Sequence, residues 1–140
     1  DKRVLAQVPD ALYIGQQGTV TSTANPGGER QDYWLSGRAA RALAKAQELV
    51  DPYGIKIRIS DKNGAGRLID TQREIYNRSH GGRTFAAGAP TASNHTRGNA
   101  LDIENWNEPH VLRALRAAGF RQGDSRGPIA NDLHHFSYPG

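Results

Sequence analysis

Two short segments, distant in the chain, concentrate side chains that ligate metals: Ser93-Asn94-His95-Thr96-Arg97-Gly98-Asn99-Ala100-Leu101-Asp102 and Asp132-Leu133-His134-His135-Phe136. Two imidazoles and one carboxylate leave a zinc ion one open position for water, and a second carboxylate is then free to act as a base. A fold that uses this set must carry both segments on one sheet. Residues alternate faces along a strand, so Ala100 and Asp102 share one side while Leu101 and Ile103 share the other. Gly98 lets the chain turn sharply and return His95 towards Asp102. The same alternation sets His135 opposite to His134 and Phe136, so a regular strand offers only one of the two histidines to the metal. His135 or His134 can fill that place.

Around these segments the pattern mixes helices and strands. Ser36 is an N-cap for a helix running to about Val50, with Ala39, Leu43, Ala46 and Val50 on one stripe, and Asp51-Pro52 stops it. Ile55-Lys56-Ile57-Arg58-Ile59 alternates strictly and predicts a strand, followed by a loop over 61–66 and a helix from about Leu68 to Arg78. The Gly-rich stretch 79–93 has no periodicity and is expected to wrap the site as a surface loop. Ala100–Ile103 predicts a short strand, and Pro109 opens a helix with the stripe Val111, Leu112, Leu115 and Ala118, ended by Gly119. His134–Tyr138 predicts a last strand. Residues 1–35 hold only Val4-Leu5 and Leu12-Tyr13-Ile14 as apolar pieces around a polar loop over 22–32. They predict an extended arm laid over a domain spanning 36–140, as part of the same unit. The expected class is a small α+β domain whose antiparallel sheet carries the ligands and whose helices cover one face.

Composition narrows the partners. The 140 residues suit one domain, and no apolar run is long enough to span a membrane. The absence of cysteine removes disulfides, thiolate ligands and a thiol nucleophile together. With no methionine and no leader, the chain is expected to be a mature or trimmed product. The net charge of +4 favours anionic partners, yet the basic residues are scattered, so no nucleic-acid partner is expected. His80 and His110 are expected to be ordinary surface or satisfied histidines, Trp34 and Trp106 core or cleft walls, and Asn107-Glu108 a helix cap.

The pattern S-x-H-x-x-G-x-A-x-D, met by Ser93, His95, Gly98, Ala100 and Asp102, resembles the zinc-ligand motif of the D-alanyl-D-alanine carboxypeptidase family (M15, or VanY-like), which includes many phage endolysins. Asp132-Leu133-His134-His135-Phe136 is similar to that family's second motif. His134 stands where members commonly have Trp, so His135 is the better match for the third ligand, and Asp132 stands where Glu is frequent. Arg67, Gln72 and Ile75-Tyr76 resemble a third motif, although Gly64-Ala65-Gly66 replaces the usual Ser-Gly-Tyr. The resemblance covers about residues 36–138.

The resemblance implies a hedgehog/DD-peptidase-like sheet and a zinc metallopeptidase, with one zinc on His95, Asp102 and His135. Asp132 would take the proton of the attacking water, Arg67 would grip the peptide carbonyl or the substrate carboxylate as negative charge develops, and Ser93 and Gln72 would bind substrate. The substrate implied is the peptidoglycan stem peptide, cut at a D-Ala-D-Ala or an L-Ala-D-Glu bond. The residues leave that choice open. The setting implied is extracytoplasmic (secreted, periplasmic or phage-delivered), and the chain is expected to act as a monomer. The competing expectation is a zinc-containing binding or structural module of a phage particle or bacterial envelope without turnover.

Overall fold

In the computed structural model, which describes residues 2–16, 32–60, 63–82, 93–123, 127–128 and 132–139, Ser36 caps the longest helix of the core. Its hydroxyl accepts the Ala39 N–H at 3.4 Å, and α2 (Gly37–Val50) buries Ala39, Ala40, Ala42, Ala46 and Val50. A single 3₁₀ turn, Asp51–Tyr53, ends it at Gly54. Small residues on this face let α2 lie against α4 (Pro109–Ala117), which buries Val111, Ala114 and Leu115 in the same core. Glu108 caps α4 by accepting from the His110 N–H at 3.1 Å, as the sequence indicates.

The two segments that carry the candidate ligands meet on a three-stranded antiparallel sheet of order β3-β5-β4, formed by β3 (Ala100–Asp102), β4 (Arg121–Gln122) and β5 (His135–Ser137). Leu101 pairs with Phe136 and Asp102 with His135. Leu101, Ile103 and Phe136 are fully buried and join the helices in one core. The protein is thus α+β. Ala100 and Asp102 are buried as well, so β3 has no solvent-facing side, and β4 is an element that the sequence pattern did not announce.

Three expectations need correction. Residues 1–35 are not simply an extended arm: α1 (Lys2–Gln7) precedes β1 (Leu12–Gln16), which pairs antiparallel with β2 (Asp32–Leu35) and packs on α2. The segment Ile55–Ile59 keeps its alternating burial but forms only one bridge, Ile59 to Ile103. Side chains supply what a partner strand would have: Gln47 donates to the Ile55 carbonyl and accepts from the Ile57 N–H, while Asn105 donates to the Lys56 carbonyl and accepts from the Arg58 N–H. The middle helix, α3, spans Ile69–Gly82 and runs into the stretch expected to be loop. The polar loop over 22–31 and most of 79–92 lie outside the described residues. Among the described residues, no helix is long and apolar enough to cross a membrane.

Because Leu115 is fully buried at the α2–α4 contact, Leu115→Ala is expected to cost about 2–5 kcal/mol in urea unfolding. The same change at Leu49, 43% exposed on α2, is expected to stay within about 0.5 kcal/mol.

Candidate metal centre

Antiparallel pairing of Asp102 with His135 puts both side chains on one face of the sheet, with His135 Nδ1 3.2 Å from Asp102 Oδ1. His95 arrives from a turn, where the Thr96 N–H bonds to the Ser93 carbonyl and the Gly98 N–H to the His95 carbonyl. Gly98 has φ +73°, and a Cβ there would lie 2.5 Å from the Ser36 nitrogen, so glycine is required on two counts. The turn returns His95 Nε2 to 3.4 Å from Asp102 Oδ1 and sets the two imidazole centroids 5.1 Å apart. One ligand atom from each of His95, Asp102 and His135 thus lies within 4.8 Å of the others, and this group could hold a metal ion.

A second layer of bonds aims these groups. His95 Nδ1 is 2.7 Å from the Ala65 carbonyl, an acceptor that fixes a proton on Nδ1 and turns Nε2 towards the centre. The Asp102 N–H donates to the Gly64 carbonyl at 2.7 Å, and its Oδ2 pairs with Arg67 at 3.2 Å. Gly64-Ala65-Gly66 therefore serves as a backbone cradle. Gly66 is needed there because its Cα faces the Trp34 indole, which a Cβ would meet at 2.4 Å.

The candidate residues divide by position. Arg67 sits beside the ligands and already donates to the Asn63 carbonyl, Gln72 Oε1 and Asp102 Oδ2. Gln72 is 1% exposed and lies behind Arg67. Ser93 anchors the turn, its Oγ accepting from the His95 N–H at 3.2 Å. Asp132 stands at the more open side, its Oδ1 3.1 Å from His134 Nε2. Strand alternation sends His134 away from the centre, but β5 begins only at His135, and His134 in the preceding turn escapes the rule. Asp102, Asp132 and His134 form a second close group sharing Asp102 with the first. His110 instead stacks on Tyr53 at 3.8 Å, and the side chain of His80 lies outside the described residues.

Electrostatics follow from burial and these partners. Burial alone would raise the Asp102 carboxyl, but attraction to His95, hydrogen bonds from His135 and His95, and the Arg67 charge hold it far below the usual carboxylate range. Burial pushes the His135 imidazole down, yet its hydrogen bond and charge attraction to Asp102, helped by Asp132, leave it above its ordinary value.

These directions give a pH test on metal-free protein. The lowered Asp102 contributes stability above its ordinary 3.8, lost as pH falls further. The raised His135 contributes stability below 6.5 that is lost as pH rises through its higher value. The Tm of metal-free protein is therefore expected to fall as pH increases above 6.5, whereas stabilisation by added zinc grows, because the neutral ring is the ligand. A metal-free Tm that climbs across this window would contradict the assignment. Compared with known families and with curated proteins, the chain matches no family model and no curated sequence.

Proposed function

We propose that this protein is a zinc-dependent peptidase that hydrolyses the stem peptide of peptidoglycan. The observation that carries the reading is the convergence of His95, Asp102 and His135 on one point, with Asp132 held beside it as a carboxylate outside that set. The residues fit the metal: two imidazoles and a carboxylate supply neutral-nitrogen and anionic-oxygen ligands, and the Ala65 carbonyl fixes the tautomer of His95. Zinc held there would polarise water towards ionisation near neutral pH.

The chain's own groups then divide the work of hydrolysis. Asp132 accepts the proton as the water oxygen attacks the peptide carbonyl carbon, and delivers it to the amine as the C–N bond breaks. His134, 3.1 Å from its Oδ1, holds that carboxylate in place. Arg67 keeps Asp102 ionised and oriented. Its grip on a peptide carbonyl is assigned only to the guanidinium hydrogens that Asn63, Gln72 and Asp102 do not occupy. Ser93 accepts from the His95 N–H, its own O–H is assigned to substrate, and Gln72 acts through Arg67. An enzyme on this substrate works outside the cytoplasm, and the order of the three motifs supports the resemblance that suggests it.

Mass spectrometry of digested peptidoglycan tests the reading and names the bond. Purified protein is expected to carry about one zinc per chain and to release stem-peptide fragments. Asp132→Ala should retain zinc and slow release by roughly 10²–10⁴-fold. Full activity in that variant removes Asp132 from the mechanism. Zinc-loaded wild type that releases nothing makes the domain a binding module instead. His95→Ala is expected to lose the metal, and unchanged zinc content there would refute the ligand set.

A further inference from the structure

The N-terminal helix α1 buries no side chain of its own, yet its last residue is bonded into the metal-centre loops. Gln7 Nε2 donates to the Arg67 carbonyl and to the Thr96 carbonyl, each at 2.7 Å. Its Oε1 accepts the Ile69 N–H at 2.8 Å. One carboxamide thereby uses both donor hydrogens and its acceptor on three points of the backbone.

Each point touches the centre through a short path. Thr96 follows the ligand His95, and Arg67 carries the guanidinium paired with Asp102. Ile69 opens α3, and Leu68 before it has no side-chain acceptor, so Gln7 supplies from a distance the N-cap that the local sequence lacks. The first turn of α3 bears Gln72, whose Oε1 receives Arg67. The loops also bond directly, from the Arg67 N–H to the His95 carbonyl at 3.0 Å, and Gln7 closes this junction from outside.

We infer that Gln7 is a positioning residue of the metal centre, fixing the His95 loop, the Arg67 loop and the start of α3 in the arrangement that binds the ion. The inference rests on the proposed function only in taking His95, Asp102 and His135 as the ligands. The described hydrogen bonds of Gln7 go to backbone atoms and to none of the three ligand side chains, so its effect must pass through the backbone of the loops that hold them.

Gln7→Glu is the selective probe, because it keeps the shape and the acceptor for the Ile69 N–H but turns a carboxylate oxygen against two carbonyls. Gln7→Met keeps the length without polar atoms, and Leu5→Ala, on the exposed part of α1, serves as control. Zinc affinity is measured by competition with a chelator on full-length, folded protein, alongside Tm and the kinetics of stem-peptide cleavage. Both Gln7 variants are expected to bind zinc about tenfold more weakly than wild type and to lower kcat with KM unchanged, while Leu5→Ala matches wild type. A lower Tm with wild-type zinc affinity and kcat overturns the inference, leaving Gln7 a purely structural tie. Failure of both variants to fold overturns it as well. Wild type that binds zinc and shows the Gln7 effect but cleaves nothing sinks the peptidase reading and leaves the inference standing. Wild type without zinc affinity ends both.

Discussion

A carboxylate stripped of water is the constraint around which this fold is organised. Asp102 is 4% exposed, in a position where an isolated anion would simply take up a proton. It stays ionised because three groups from separate parts of the chain converge on its carboxylate, His95 and His135 at one oxygen and Arg67 at the other, while the Gly64 carbonyl holds its backbone N–H in place. Breaking one partner of such a buried set costs far more than its presence contributes, because the remaining charge is left uncompensated. The neighbours must therefore arrive together, and the order of elements from 63 to 137 serves that arrival.

The supporting layer follows from the same requirement. A charged cluster at the edge of a core tolerates little positional error, and the loops that supply it have no regular ladder to fix them. Backbone contacts made by Gly64, Ala65, Gly66 and Gly98 replace the ladder, and each works only because a side chain is small or absent. The Trp34 ring closes over Gly66 from β2, so the hairpin in residues 1–35 becomes a wall of the site's frame rather than an appendage.

Legibility in the sequence tracked the range of the interaction. Helices α2 and α4 could be read because their caps and apolar stripes are local, and the closeness of His95 to Asp102 because one turn and one strand set their spacing. The strand expected at Ile55–Ile59 failed for the opposite reason. Its alternation is real, but the side chains of Gln47, on the preceding helix, and Asn105, 47 and 49 residues from its partners, satisfy its backbone, and a pattern of apolar residues carries no record of that. Gln7 was invisible on the same ground: a glutamine in an unmatched arm gives no hint of three partners up to 89 residues away. His134 was misplaced because alternation was applied across the start of β5.

Two aspartates in one centre differ in environment more than in chemistry, and that difference divides the roles proposed for them. Asp102 has both oxygens committed to cationic or donor partners within the protein, which suits a ligand and unsuits a proton carrier. Asp132 has its side chain 22% exposed and, in the contacts of its carboxylate, one histidine that is itself 34% exposed. A base must both take and surrender a proton during one turnover, so it needs a partner that orients it without locking its charge. For the proposed reaction, the partial exposure of Asp132 suits that exchange and the burial of Asp102 does not. Among the described residues, β3, the glycine cradle and Arg67 cover Asp102, so in the proposed reaction the peptide is to approach past Asp132 and His134.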